Sequence, residues 1–194
     1  MKTFSIEELL SADATKMAAL RALAGLALPD AWLAAGFVRN FVWDALHGYP
    51  PTPLNDLDVI VSDSQDSEGV RGREAQAELL NQLQEHQWQV KSQALMHLRN
   101  GDRPYLDCAD AMSFWPEIET ASGARINRAD GIEVNAPFGL DSLMAGRITA
   151  NPKRAREIFL DRVRSKRWLQ QWPRLELTDP RAAQALKSMD KKSP

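Results

Sequence analysis

The sequence predicts an α/β (α+β) fold: a small mixed sheet flanked by helices, with further helices at both ends of the chain. Three observations carry this reading. Apolar runs at Ala31–Ala35 and Leu57–Val61 have strand length. The segments around them repeat apolar residues at helical spacing. Asp130-Gly131 lies between two short strand-like runs, as a hairpin turn requires. Strand and helix alternating, then a hairpin, is the order of a sheet covered by helices.

The elements follow in chain order. Ser5-Ile6-Glu7-Glu8 is a capping box: the serine accepts from first-turn amides and Glu8 reaches back, so a helix starts here. Met17, Leu20, Leu23, Ala24, Ala27 and Leu28 mark a second helix, ended by Pro29-Asp30. Ala31–Ala35 is the first strand, Gly36 the turn and Phe37–His47 a helix. Gly48–Pro53 contains Pro50, Pro51 and Pro53 and can only be loop. Leu57–Val61 is the second strand. Val70–Gln87 is a helix with Ala75, Leu79, Leu80 and Leu83 inward, and Trp88–Leu98 reads as a third strand. Asp107–Phe114 is helical and Pro116 closes it. Ala124–Asn127 and Ile132–Asn135 form the hairpin. Leu140–Arg147 is a helix, and Asn151 caps a last long helix, Pro152–Gln171, with proline at its first position. One domain is expected over 1–176, with its core at about 30–140. Residues 177–194 read as a polar, partly disordered tail with a short helix from about Asp179.

Composition narrows the class. A chain of 194 residues with 44% apolar content can bury a sizeable core. A net charge of −2 argues against a general polyanion binder but leaves room for a local basic groove. The single cysteine, Cys108, excludes a disulfide framework or a cysteine zinc site within one chain. Met1–Asp30 lacks the basic flank, apolar run and small-residue cleavage site of a signal peptide, and no stretch approaches ~18 apolar residues. A cytoplasmic protein without a membrane partner is expected.

The chemistry concentrates at Asp56-Leu57-Asp58. Alternate residues of a strand share a face, so Asp56 and Asp58 point one way while Leu57, Val59 and Val61 point into a core. Two adjacent carboxylates repel, and a divalent cation relieves that repulsion. Phosphoryl or nucleotidyl transfer is the chemistry that most needs such a cation. The glycine turn at Gly36 adds a helix N-terminus, where backbone N–H groups can approach phosphate.

Ala35-Gly36-Phe37-Val38-Arg39-Asn40, then Leu46-His47-Gly48, then Asp56-Leu57-Asp58 resembles the nucleotidyltransferase superfamily, which includes DNA polymerase β and the tRNA CCA-adding enzymes. The motif is closest in style to the CCA-adding enzymes. The chain from about Trp32 to Trp172 further resembles a group of small, stand-alone bacterial nucleotidyltransferase-like proteins. The residues that carry this include Val90-Lys91, Gln93-Ala94, Met96-His97, Pro104-Tyr105, Trp115-Pro116-Glu117, Ala136-Pro137-Phe138-Gly139-Leu140 and Trp172-Pro173. The resemblance implies that Asp56 and Asp58 bind Mg²⁺, with Mn²⁺ as the alternative, and that Gly36 approaches a triphosphate. An acceptor hydroxyl would then take a nucleoside monophosphate from an NTP. It also implies a third carboxylate on a neighbouring strand, and Trp88–Leu98 offers none.

Asp110 is the first candidate for that missing catalytic acid, because the turn through Asn100-Gly101 and Pro104 can return the chain toward Asp56 and Asp58. Asp107 shares its helix face. Phe37, Arg39 and Asn40 on the helix start, with Lys91 on the third strand, are the further candidates for nucleotide contact. A structural reading stands beside each: Arg39 in a surface ion pair, Asn40 bonding locally, Lys91 solvated, His97 a structural residue. Trp168 and Trp172 read as packing anchors, and the basic terminal helix as a solvated exterior rather than a nucleic-acid groove. The rival to a transferase is a nucleotide-binding or regulatory protein that keeps the fold without the chemistry.

Overall fold

The computed structural model describes residues 4–179 other than Asn55 and Ser67. Its helices are α1 Ile6–Ala12, α2 Ala14–Gly25, α3 Gly36–His47, α4 Val70–Gln82, α5 Gln93–Asn100, α6 Cys108–Met112, α7 Asp141–Met144, α8 Arg156–Ser165 and α9 Trp168–Gln171. Its strands are β1 Ala31–Ala34, β2 Asp56–Val61, β3 Gln87–Ser92, β4 Gly123–Ile126, β5 Ile132–Asn135, β6 Arg147–Thr149 and β7 Glu176–Thr178. Among the described residues, no helix is long and apolar enough to cross a membrane.

Five strands form a mixed sheet in the order β3-β2-β1-β4-β5. β2 and β3 run parallel, joined by α4 as a crossover; the other pairs are antiparallel. The hairpin expected around Asp130-Gly131 extends the sheet beyond β1. Asn127 closes its turn: its Oδ1 accepts from the amides of Ala129 and Gly131 at 2.9 and 3.1 Å.

The alternation of β2 divides the sheet's two faces. Leu57, Val59 and Val61 join Ala31 and Leu33 of β1 in the main core, together with α1, α2 and α3. On the opposite face, Trp32, Ala34 and Ile60 meet Cys108 and Met112 of α6 in a smaller cluster. α6 thus covers one part of that face. The part carrying Asp56 and Asp58 stays open, and this difference creates the site.

Several boundaries differ from expectation, each for a local reason. The third strand ends at Ser92, and residues 93–100 are helical. Gln93, Ala94, Leu95, Met96 and Leu98 are good helix formers with no β-branch among them, and Gly101 at φ +69 closes the helix. α4 stops at Gln82, and α2 ends at Gly25, where Ala27 and Asp30 take positive φ. The last helix starts at Arg156, not Pro152: Asn151 Oδ1 does accept from the Lys153 amide at 3.0 Å, but its Nδ2 donates to the carbonyls of Ser113 and Trp115 at 2.8 and 2.7 Å, and the chain makes a turn over 152–154 before the helix begins. Arg167 at φ +53 then separates α8 from α9. The expected helix 140–147 is helical only over α7; Gly146 turns the chain into β6, which pairs in parallel with β7. β7 crosses the expected boundary after residue 176. The short helix and tail expected beyond Asp179 lie outside the described residues.

Candidate nucleotide site

Asp56 and Asp58 open onto a cleft of about 710 Å³ at the uncovered part of the sheet. Asp56 is exposed and Asp58 half-buried, while Leu57 between them is fully buried. In the parallel pairing with β3, Asp56 lies opposite Gln87, Asp58 opposite Gln89 and Ile60 opposite Lys91. Gln89 and Lys91 therefore share the carboxylate face. Lys91 Nζ donates to Asp58 Oδ1 at 2.6 Å. The lysine expected to steady a phosphate is thus already engaged with one of the two acids.

The second wall is the start of α3. The chain leaves β1 at Ala35, which takes φ +56 and ψ −118, a conformation that favours glycine. Its N–H donates to the Ser122 carbonyl at 2.9 Å. No side chain caps α3, so its positive end faces the cleft at Gly36. A Cβ on Gly36 would meet Asn40 Nδ2 at 3.4 Å, so glycine keeps the approach to the first turn narrow but open. Asn40 holds Arg39, accepting from its Nη2 at 2.8 Å, and Arg39 Nη1 donates to Thr120 Oγ1 at 2.7 Å. The guanidinium also lies over the rings of Trp43 and Trp168, 5.1 and 4.5 Å from their centroids. Burial lowers its pKa to about 10, still far above neutral, so Arg39 is a fixed positive charge at the cleft. It is not the surface ion pair of the structural alternative. Phe37 is different: its ring is in the main core, and only its backbone can meet a ligand.

Asp110 lies elsewhere. Arg103 grips its carboxylate through Nη1 and Nη2 at 2.7 and 2.8 Å, and the Leu106 amide adds a third bond at 2.9 Å. The Arg103 hydrogen bonds hold its pKa below the ordinary aspartate range. Asp107 caps α6, its Oδ1 accepting from the Asp110 amide at 2.7 Å. Neither residue is among those lining the cleft, where Asp56 and Asp58 are the only acids among the described residues. The cause is the amphipathicity of α6. Cys108, Ala111 and Met112 turn to the sheet, so the two acids remain with the loop that precedes them. His97, on α5, stands edge-on to Tyr105 with its buried Nδ1 unpartnered.

Several cleft residues escape the sequence reading. Lys16 of α2 is one. Arg154, Arg162 and Lys166 are others, from the segment read as a solvated exterior. Arg162 is tied down by buried Glu117, its Nε donating to Oε1 at 2.6 Å. The usable signal was the density of basic residues between Lys153 and Arg167; of those that reach the cleft, Arg162 lies within α8, Arg154 precedes it and Lys166 follows it. Trp168 and Trp172 are packing anchors, both edge-on to Trp43, and Trp172 Nε1 donates to Asp44 Oδ1 at 2.8 Å.

An aspartate pair on an open strand face, next to an uncapped helix that starts at glycine, is the arrangement to compare with known proteins. Residues 21–177 match the family model described as nucleotidyltransferase. The chain belongs to the nucleotidyltransferase family. A solved structure described as revealing a CCA-adding enzyme head domain is 31% identical, with a TM-score of 0.79; the match covers 90% of this chain and 94% of that one. CCA-adding enzyme complexes with ATP and with CTP share the fold at 17% and 16% identity, with TM-scores of 0.57 and 0.56. These matches cover 99% and 91% of this chain but only 46% and 44% of those enzymes, so the chain spans less than half their length. No curated protein matches it.

The family is one of NTP-using transferases, and its members in general use divalent metal ions. The donor set here suits a hard cation: two carboxylates on one strand face, both open to the cleft. Among the described residues there is no cluster of three or more His, Cys, Asp or Glu side chains able to hold a metal. Asp56 and Asp58 would thus supply the protein oxygens, and phosphate and water the rest.

Proposed function

We propose that this chain is a metal-dependent nucleotidyltransferase that moves a nucleoside monophosphate from an NTP to an acceptor hydroxyl. The observation that carries the reading is the placement of Asp56 and Asp58 beside the uncapped start of α3 in one cleft. Mg²⁺ held by the two aspartates, or Mn²⁺ in its place, would neutralise the triphosphate and the charge that develops on it. The first-turn amides at Gly36 and Phe37 bind phosphate oxygens, and Arg39, fixed by Asn40 and Thr120, adds a permanent positive charge. Lys91 orients Asp58. The acceptor oxygen attacks the α-phosphorus, the bond to the bridging oxygen breaks, and pyrophosphate leaves. The hydroxyl proton passes to a base at the cleft, where Asp56 and Asp58 are the carboxylates available among the described residues.

One domain performs this work, in the cytoplasm, with an NTP as its partner. The cleft's cations leave room for an anionic acceptor, although a nucleic acid is not required by them.

A second reading, nucleotide binding without transfer, is favoured by a specific observation: Asp110 is held by Arg103 and no third acid lines the cleft among the described residues. The discriminating experiment measures pyrophosphate release from each NTP with Mg²⁺, offering an RNA 3′ end, a sugar and a protein hydroxyl as acceptors. Transfer predicts release that depends on both metal and acceptor. NTP binding with no release under any of these conditions supports the second reading.

A further inference from the structure

We propose that Lys16 is a phosphate ligand of this cleft, holding the terminal phosphates of the bound triphosphate; the identity of that anion rests on the nucleotide reading above. Lys16 is almost wholly buried, at 3% exposure, yet it lines the cleft. Its ammonium makes no ion pair or hydrogen bond among the described residues. Its neighbours are two ring faces, with Nζ 4.9 Å from the centroid of Phe37 and 4.4 Å from that of Phe41. A buried ammonium ordinarily has an acidic partner, because desolvation of an unpaired charge is costly. Ring faces offset part of that cost and supply no hydrogen-bond acceptor in the ring plane. An anion entering the cleft would offset the rest.

The position selects the anion. Phe37 and Phe41 lie one turn apart on α3, and Arg39 and Trp43 lie on its opposite side, given 3.6 residues per turn. Lys16 and Arg39 thus bracket the helix start, the end that attracts phosphate. The reacting phosphate belongs with the aspartates of β2, so a cation on the far flank of α3 meets the phosphates that leave as pyrophosphate. An ammonium suits that task as a compact point charge with three donors. The charged groups facing it are Asp13, which caps its own helix, and Asp44 of α3; both favour the ammonium. Burial outweighs them and lowers its pKa to about 8, as expected for a cation that lacks a close counter-ion.

The test is calorimetric titration of wild type, Lys16→Met and Lys16→Arg with three probes: the NTP that wild type binds best, its monophosphate, and inorganic tripolyphosphate. Lys16→Met should weaken NTP and tripolyphosphate binding by about tenfold or more, leave monophosphate binding within about twofold, and be partly rescued in Lys16→Arg. A merely structural lysine would shift all three probes together. In the wild type, the side-chain Nζ resonance of Lys16 should also move in NMR when tripolyphosphate is added, a readout that needs no variant to fold. An unmoved resonance, or an unchanged ratio of NTP to monophosphate affinity in Lys16→Met, overturns the role of Lys16. Wild type that binds tripolyphosphate through Lys16 but no NTP keeps the anion site and rejects the nucleotide reading. Binding of neither rejects both.

Discussion

Ala35 carries a clear strain among the described residues, and it sits where strain has consequences. Its φ of +56 with ψ −118 is a region that glycine enters freely and alanine does not. Such a conformation costs about 1–3 kcal/mol, offset here because the turn must deliver the first amides of α3 to the cleft. Ala35→Gly should therefore raise the thermal midpoint, by roughly 2–4 °C for each kcal/mol relieved; calorimetric melting checks it, and a lower midpoint would show that the methyl contributes more packing than strain. Lys16 yields a second expectation at this scale. Its folded pKa of about 8 lies below the unfolded value of 10.5. Between these values the unfolded chain binds more protons, so the lysine's destabilising contribution is present below pH 8 and fades as pH rises to 10.5. The melting difference between wild type and Lys16→Met should shift in favour of the wild type across that window. A difference independent of pH there would contradict the buried, charged lysine. Asp110 behaves oppositely: held low by Arg103, it adds stability that is lost as pH falls below the ordinary aspartate range.

Among the elements, those with strong local rules were legible and those set by distant contacts were not. The capping box of α1, the glycine start of α3, the alternation of β2 and the Asp130-Gly131 turn each rest on residues within a few positions of one another. The end of β3 was missed because an apolar run of Ala94, Leu95, Met96 and Leu98 serves helix or strand equally in periodicity. β6 and β7 were missed because three-residue strands have no period to detect, and their pairing spans 147 to 176. The start of α8 was missed because Asn151 bonds to carbonyls nearly forty residues earlier. α8 itself is anchored at the cleft by Arg162 on buried Glu117. Arg162→Ala should cost about 2 kcal/mol, the value of a charge-assisted bond to a buried carboxylate, read from urea unfolding. A change below about 0.5 kcal/mol would mean that water replaces the guanidinium and that the anchor is weak.

At the scale of the molecule, the site is a consequence of incomplete coverage. α1, α2 and α3 bury one face of the sheet, α6 buries part of the other, and what remains open holds Asp56 and Asp58. The sequence showed the aspartates, Gly36, Arg39 and Asn40 because they are close together along the chain. It did not show Lys16, Arg154, Arg162 or Lys166, which reach the cleft only through the fold, nor that α6 would keep Asp110 out of it. The cleft gathers Lys16, Arg39, Lys91, Arg154, Arg162 and Lys166; Lys91, Arg154 and Arg162 are paired with Asp58, Asp102 and Glu117, so Lys16, Arg39 and Lys166 carry the charge left for a ligand, in a chain whose net charge is −2. That concentration of positive charge suits a triphosphate.

The central claim is that Asp56 and Asp58 make triphosphate binding depend on a divalent cation. The direct measurement is the calorimetric affinity of each NTP with and without Mg²⁺, for the wild type and for the double variant Asp56→Asn, Asp58→Asn, with circular dichroism confirming that both are folded. The wild type should bind at least one NTP about tenfold or more tighter with Mg²⁺, and the double variant should show no such gain. A folded double variant that keeps the full Mg²⁺-dependent gain would contradict the account.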